Sequence, residues 1–321
     1  MRIRQGMFGM LAAMALLAGP VRGNDSVAVM EAGGLRLVRD APVELLAETL
    51  FVSAGKITVD YDFRSAEQAG TTTLVAFPLP DYDLAWEGAD RLGGPGDSVS
   101  ARIGFRVWSD GQELYPALEI KALRNGIDIT RLLESYGIPV GSLDYDMVMA
   151  ALRAVPQEGR AELERLGAAR WYDGSDPAPL WTIHASYYWT QDFPAGKTVH
   201  IRHEYSPMAG AFFVGGPDFV EFDPADYCMS QGEISALRKK LAGAPYGMLL
   251  ATNIRYILTT GANWRGPIGT FHLILDKGST DNQISLCFKG IEKTGPTRFE
   301  ATVKDFTPGD ELDVMIFAPP E

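Results

Sequence analysis

The stretch Trp181–Pro207 reads WTIHASYYWT, then QDFPAG, then KTVHIRHEYSP. Its two outer runs are rich in β-branched and aromatic residues, and the loop between them carries a proline and a glycine. This composition is typical of two β-strands joined by a turn, so the stretch predicts a long β-hairpin. It also contains three of the four histidines of the chain, which makes it the first place to look for a chemical site.

The side chains of this hairpin divide into two faces, because successive residues of a strand point to opposite sides. His184, His200 and Glu204 share the polar face, and one allowed register places His184 opposite Glu204. His203 falls on the apolar face and is expected to be a hydrogen-bonded core histidine. The predicted apolar face consists of Trp181, Ile183, Ala185, Tyr187, Trp189, Val199, Ile201, His203 and Tyr205.

His184, His200 and Glu204 are candidate metal ligands. Two imidazoles and a carboxylate could bind zinc and leave a coordination position open, which would suit hydrolysis or metal sequestration. The alternative is that they decorate the solvent face of the hairpin, where a histidine–glutamate pair adds little stability. Two acidic turns, Asp173–Asp176 and Asp223–Asp226, could offer oxygens to Ca²⁺, although neither has the spacing of a dedicated calcium loop.

Residues 1–23 have the features of a secretory signal peptide. Arg2 and Arg4 form a positive amino-terminal region, and Met7–Ala18 is an apolar run too short to span a bilayer. The residues that follow predict cleavage after Gly23, with a shift of two or three residues as the alternative, so the mature chain is expected to begin at Asn24. No later stretch is apolar over roughly 18 residues, so we expect a periplasmic or secreted protein without stable membrane insertion.

The chain is acidic, with 29 lysines and arginines against 41 aspartates and glutamates and a formal net charge of −12. Removal of the leader takes three arginines with it and makes the mature chain more acidic still. Such a surface repels nucleic acid and anionic lipid, so neither is expected as a partner. The simplest interpretation is that the acidity keeps an exported protein soluble.

Cys228 and Cys287 are the two cysteines of the chain. In an exported protein an isolated pair is most often a disulfide, and this one would close a loop of about 60 residues. Two buried thiols or one reactive thiol are the competing interpretations, and no neighbouring histidine or lysine favours either. We therefore predict a Cys228–Cys287 disulfide.

The hydrophobic pattern predicts a mainly β fold with two β-sandwich-like portions. The first portion covers residues 24–124 and the second covers 176–321. Between them, residues 125–175 hold a helical insertion with helices at about 125–170, and a capping-box pattern at Ser230–Glu233 predicts a short helix at about 231–242. The pattern leaves open whether the two portions form one domain or two.

Known catalytic signatures are missing from the sequence. It has no G-x-S-x-G elbow, no H-E-x-x-H zinc helix, no phosphate loop and no C-x-x-C pair. A second class of site is a sugar-stacking platform of aromatic side chains, although aromatic residues in strands are more often core. The aromatic residues concerned are Trp171, Tyr172, Trp181, Tyr187, Tyr188 and Trp189.

Several stretches together resemble the DUF4424 family of exported bacterial proteins of unknown function. They are residues 24–39 (NDSVAVMEAGGLRLVR), 56–63 (KITVDYDF), 71–83 (TTTLVAFPLPDYD), 189–207 (WTQDFPAGKTVHIRHEYSP) and 263–277 (NWRGPIGTFHLILDK). The resemblance covers nearly all of the predicted mature chain. It implies a periplasmic or secreted location and a mostly β fold, and it brings no catalytic motif to assign to these residues.

The sequence thus favours an exported, non-enzymatic binding or protein-interaction module without a cofactor. Its partner would be an unknown envelope protein or a glycan. The alternatives are a metal-dependent hydrolase or metal-binding protein that uses His184, His200 and Glu204 with zinc or calcium, and a binder of glycan or another cell-envelope polymer.

Overall fold

A computed structural model describes residues 24–31, 34–39, 42–84, 97–172, 176–215 and 223–320. Strands predominate over helices, which confirms the predicted mainly β fold. The predicted signal peptide and most of the acidic turn Asp173–Asp176 lie outside the described residues. Two large sheets face each other, and a third sheet lies beside them. A helical segment contacts the first of the large sheets.

The first sheet has seven strands, numbered along the chain like all strands below. Their spatial order is β10-β9-β13-β5-β1-β2, and β6 also pairs with β13. The strands are β1 (Ser26–Glu31), β2 (Gly34–Leu37), β5 (Thr71–Pro78), β6 (Tyr82–Asp83), β9 (Ala117–Arg124), β10 (Ile127–Asp128) and β13 (Thr182–Phe193).

The second sheet has eight strands in the order β19-β20-β17-β3-β4-β14-β7-β8. All neighbours are antiparallel except β3 and β17, which are parallel. The strands are β3 (Val43–Ser53), β4 (Ile57–Ser65), β7 (Arg106–Ser109), β8 (Gln112–Leu114), β14 (Thr198–Tyr205), β17 (Ile268–Asp276), β19 (Glu292–Lys293) and β20 (Arg298–Phe306). Strands from both predicted β portions therefore share one sheet.

The predicted hairpin at Trp181–Pro207 is wrong in its pairing. β13 lies between β9 and β5 in the first sheet, whereas β14 lies between β4 and β7 in the second. The connection at Pro194–Gly196 crosses from one sheet to the other. In a sandwich, both strands can turn their apolar faces toward the same core without lying side by side, and this arrangement buries each strand between two other neighbours.

The predicted apolar face of these two strands is nevertheless correct. All nine of its side chains are buried, and rings from the two sheets meet across the core. The Trp189 ring of β13 lies 5.5 Å from the His203 ring of β14, and Phe77 of β5 lies 5.0 Å from the same imidazole. These edge-to-face contacts are the geometry that aromatic rings prefer.

The helical segment matches the predicted insertion. Its helices are α2 (Thr130–Ser135), α3 (Tyr145–Ala154) and α4 (Gln157–Arg165), preceded by the short α1 (Val99–Ile103). Asp144 caps α3 by accepting a hydrogen bond of 3.0 Å from the Met147 amide. The segment contacts the first sheet closely, because a Cβ at Gly141 would lie 2.7 Å from Cδ1 of Ile120 in β9.

The third sheet has the order β15-β16-β21-β18 and carries the last helix on one face. Leu237 and Leu241 of this helix, α5 (Gln231–Gly243), share a small core with Leu249 and Phe317 of the sheet, while Tyr256 on the other face joins the main core. The Ser230–Glu233 capping box is present as predicted. The four strands are β15 (Ala209–Gly215), β16 (Met248–Tyr256), β18 (Gln283–Leu286) and β21 (Leu312–Ala318).

Two smaller features complete the chain. β11 (Ala169–Tyr172) and β12 (Asp176–Pro179) form a separate two-stranded sheet. The predicted disulfide is present between Cys228, which follows the 3-10 turn Pro224–Tyr227, and Cys287, which follows β18. It ties the segment that leads into α5 to the third sheet.

Candidate functional site

The three predicted metal ligands lie in two different sheets. His184 belongs to β13, and its Nδ1 lies 2.7 Å from Asp81 Oδ1. His200 and Glu204 belong to β14 and lie on the face of the second sheet that points away from the core. Because the sandwich core separates the polar faces of β13 and β14, the structure does not bring His184 to the other two.

His200 and Glu204 are also far apart and have partners of their own. Four residues of extended strand separate them, which corresponds to roughly 13 Å. His200 lies 3.1 Å from Asp62 Oδ1, and Glu204 forms an ion pair of 2.8 Å with Lys56. Among the described residues, no group of three or more histidine, cysteine or acidic side chains is arranged to hold a metal. The metal site stays a prediction that this geometry does not favour.

The predicted aromatic platform and the second acidic turn have structural roles. Trp181, Tyr187 and Trp189 are buried in the sandwich core, so they offer no face to a sugar ring. Tyr172 is exposed but lies apart from them on β11. Asp223 accepts a hydrogen bond of 2.9 Å from the Ala225 amide and thereby caps a 3-10 turn.

Sequence reasoning missed a buried polar cluster at the point where the predicted mature chain begins. Asn24 and Asp25 are both 0% exposed. The side chain of Asn24 forms both bonds. Its Nδ2 donates a hydrogen bond of 3.0 Å to Glu48 Oε2, and its Oδ1 accepts one from the Tyr61 hydroxyl. We call Asn24, Asp25, Glu48, Tyr61, His203 and Tyr256 the amino-terminal cluster, because all six are buried side by side between the sheets.

The 3-10 turn Thr259–Asn263 and the adjacent Trp264 fix the backbone just before β1. Thr260 Oγ1 donates to the Asn24 carbonyl and Trp264 Nε1 donates to the Asp25 carbonyl, both at 2.6 Å. Asn263 donates to Ser26 Oγ at 3.0 Å. These bonds hold Asn24 and Asp25 in the interior of the sandwich.

A β-bulge in β3 places Glu48 inside the sandwich. Val43 and Leu45 point inward, the register with β4 shifts between Leu45 and Ala47, and from there Glu48 and Leu50 point inward instead. A bulge adds one residue to one strand, so it reverses the parity of every residue after it. Strict alternation along VELLAETLFVS would have given Glu48 an outward position, which is why the sequence pattern conceals it.

Several polar atoms of the cluster have no hydrogen-bond partner among the described residues. They are both carboxylate oxygens of Asp25, Glu48 Oε1 and both ring nitrogens of His203. His203 Nε2 lies 3.4 Å from Asp25 Oδ2, which is close contact without hydrogen-bond geometry. His203 is buried in the core as expected, but the expected hydrogen bond is absent among the described residues. Unpaired buried polar atoms are costly, so a missing partner is indicated.

Burial dominates the electrostatics of this cluster. It raises the pKa of Asp25 well above its usual value, and repulsion from Glu48 adds to the rise. It raises the pKa of Glu48 to about 8, against the opposing effect of the neighbouring Asn24 and Tyr256 side chains. It lowers the pKa of His203 to about 3. In the part of the chain that the structure describes, no lysine or arginine neutralises either carboxylate.

A second feature that the sequence pattern did not reveal is the free edge of β15. This strand, AGAFFVG, ends the third sheet and pairs only with β16 among the described residues. It is seven residues long, whereas the strands at the other sheet edges have four or fewer. It carries no charged residue, and Phe213 is 52% exposed. Edges of soluble proteins are normally shortened or charged to prevent pairing with other chains.

A comparison with known protein families identifies the family of this chain. The family described as "Domain of unknown function (DUF4424)" matches residues 23–315, which is nearly the whole chain. The protein is a member of the DUF4424 family. No curated protein matches the sequence.

Two solved structures that are similar to this DUF4424 protein share little sequence with it. One is a candidate nutrient binding protein from Legionella pneumophila, with 12% identity over 92% of this chain and 70% of the other, at a TM-score of 0.46. Another is an M1 zinc metallopeptidase from Deinococcus radiodurans, with 10% identity over 88% of this chain and 43% of the other, at a TM-score of 0.20. At these scores neither likeness supports a functional argument.

The helices of the DUF4424 protein are short. None of those in the described residues is both long enough and apolar enough to cross a membrane.

Proposed function

We propose that this protein is an exported, non-catalytic binding module that holds an extended segment of an envelope protein along the outer edge of β15. The observation that supports this function is the edge itself, which is long, uncharged and unpaired on one side among the described residues. Such an edge can accept a further strand, with backbone hydrogen bonds providing affinity and side chains providing specificity.

The chemistry of β15 determines what kind of segment it accepts. Phe212 and Val214 point toward the small core under α5, while Phe213 points to the other face and remains half exposed. A partner strand would therefore place an apolar side chain beside Phe213. The adjacent residues of the partner strand would lie near the rim of the sheet. Each net backbone hydrogen bond contributes about 1 kcal/mol, so a few paired residues give a reversible complex.

An exported location fits the covalent chemistry of the chain. The amino-terminal sequence has the pattern of a signal peptide with cleavage after Gly23. The Cys228–Cys287 disulfide is stable in an oxidising compartment such as the periplasm and is uncommon in the cytosol. Both observations support a periplasmic or secreted protein whose partner belongs to the cell envelope.

Site-specific photocrosslinking in the native cell envelope tests the proposal. A photoreactive amino acid at Ala211, on the exposed edge, is compared with the same residue at Tyr115, which is 90% exposed but outside the edge. We expect one discrete peptide to crosslink at position 211, and we expect Phe213→Lys to abolish the crosslink while the protein stays folded. Equal labelling at both positions, or attachment to glycan in place of peptide, would overturn it.

A further inference from the structure

The burial of Asn24 and Asp25 is unusual for the first residues of a mature chain. The signal-peptide pattern ends at Gly23, and the polar residues that follow would ordinarily form a hydrated tail. Instead Asn24, Asp25 and Ser26 are each 0% exposed, and hydrogen bonds from Thr260 and Trp264 fix their backbone. The position of the chain start is therefore part of the core packing.

Among the described residues, the same cluster contains no cation. Both oxygens of Asp25 and one oxygen of Glu48 have no hydrogen-bond partner, although both residues are almost completely buried. The basic side chain close to Asp25 among the described residues is the His203 imidazole, and it does not form a hydrogen bond with the carboxylate. Two buried carboxyl groups with free lone pairs require a donor, and a positively charged donor satisfies them best.

Asn24 is the residue that connects the two carboxyl groups, and its backbone nitrogen is the atom that cleavage after Gly23 would free. Asp25 is its direct neighbour in the chain, and Glu48 already binds the Asn24 side chain at 3.0 Å. The backbone nitrogen belongs to the same residue as that side-chain amide, so it is at most one side-chain length and one hydrogen bond away from Glu48. In the uncut chain this nitrogen is a neutral amide with one hydrogen, whereas after cleavage it is an ammonium group with three.

We propose that the chain is processed between Gly23 and Asn24, and that the freed α-ammonium group of Asn24 is the buried counter-ion of Asp25 and Glu48. Hydrolysis adds the hydroxyl of water to the Gly23 carbonyl carbon and its proton to the Asn24 nitrogen, and the leader departs with a new carboxylate. The bond is cut during export, before the segment is buried. One ammonium balances one negative charge, so the two carboxyl groups retain one proton between them.

This inference rests on the exported location proposed above and is independent of the β15 edge. It also selects one cleavage site among the alternatives. Cleavage two residues further on would remove Asn24 and Asp25, and with them the hydrogen bonds to Glu48, Tyr61 and Trp264. Cleavage two residues earlier would leave the Asn24 nitrogen a neutral amide, which cannot serve as the counter-ion.

The mass of the exported protein gives the first test. Protein recovered from the envelope of cells that express the full chain is expected to begin at Asn24. A different first residue, or an uncut chain, would overturn the inference without affecting the crosslinking result at Ala211.

The reactivity of the α-amino group gives the second test. In the folded chain that begins at Asn24, we expect reductive methylation of this amine at neutral pH to be at least about tenfold slower than in denaturant. A folded Glu48→Gln variant is expected to lose part of that protection. Equal rates in the folded and denatured chain would contradict the proposal.

A chain that retains Gly23 is the matched control, because it differs by one small residue and keeps every side chain of the cluster. Its ammonium group belongs to Gly23, so the Asn24 nitrogen remains a neutral amide that carries no charge to the carboxylates. We expect its unfolding equilibrium constant to be larger by about 100-fold, as for other broken buried ion pairs. Equal stability of the two chains would overturn the counter-ion role, even if Asn24 proved to be the first residue.

Discussion

The Asn24 amide donates a hydrogen bond of 3.0 Å to the Glu48 carboxylate, and neither residue is more than 1% exposed. This bond joins the first described residue to the part of β3 that follows its β-bulge, in the centre of the sandwich. The bulge turns Glu48 inward, and Asn24 supplies its hydrogen-bond partner. We propose that the amino-terminal cluster links processing of the chain to the stability of its fold.

Stability of the chain that retains Gly23 should fall as the pH rises from 6.5 to 8. Glu48 has its pKa raised from 4.5 to about 8 in the folded state, so the folded protein retains a proton that the unfolded chain releases. The stabilising effect is complete below pH 4.5 and is lost as the pH rises toward 8. Below pH 6.5 the lowered pKa of His203 has the opposite effect, because only the unfolded chain binds its proton.

Glu48 alone should therefore remove about 2 kcal/mol from the free energy of unfolding between pH 6.5 and 8. Asp25, whose pKa is also raised, acts with the same sign. Urea denaturation at several pH values measures the effect, and Glu48→Gln should flatten the curve in this window. A free energy that rises with pH in this chain would contradict the assignment of a protonated Glu48.

Gly269→Ala should destabilise the protein by about 1–3 kcal/mol. A Cβ at Gly269 would lie 2.6 Å from the carbonyl oxygen of Leu46, the residue at the β-bulge, and backbone cannot move aside as a flexible side chain can. Gly210→Ala is the control, because a Cβ there meets nothing within 4 Å. Thermal unfolding compares the two, and equal melting temperatures would mean that the bulge does not require close contact between β3 and β17.

Removal of the disulfide should lower the free energy of unfolding by up to about 4 kcal/mol. The bond joins Cys228 and Cys287 across 59 residues of sequence, and a crosslink of this span restricts the unfolded chain strongly. Denaturation of the Cys228→Ser, Cys287→Ser double variant measures the loss. Because the bond ties the segment before α5 to the third sheet, hydrogen exchange should increase first in α5, and uniform exchange across all sheets would contradict this.

The sequence pattern predicts which side chains are buried far better than which strands are neighbours. The alternation from Trp181 to Tyr205 identifies the core face correctly, since parity depends only on the local backbone. The same alternation is satisfied by a hairpin and by two strands on opposite sheets, so the pairing of β13 and β14 could not be determined from it. The capped helix α5 and the disulfide depend on local or covalent signals and were predictable.

The candidate sites were hidden for different physical reasons. A single extra residue in β3 reverses parity and sends Glu48 inward, and no composition signal marks that bulge in VELLAETLFVS. Asn24 and Asp25 have the polarity of an exposed tail, and only tertiary contacts such as Trp264 to Asp25 bury them. The edge of β15 depends on which strands lie beside it, which short-range pattern does not encode.

Hydrogen exchange of the β15 amides, with and without the segment identified by crosslinking, tests the proposed function most directly. In the protein alone, the amides of β15 that point away from β16 should exchange rapidly, because no described residue accepts a hydrogen bond from them. Addition of the partner segment should slow these amides by at least about tenfold and leave β18, at the other edge of the third sheet, unchanged. Unaltered exchange in β15, or protection confined to another part of the protein, would contradict strand addition at this edge.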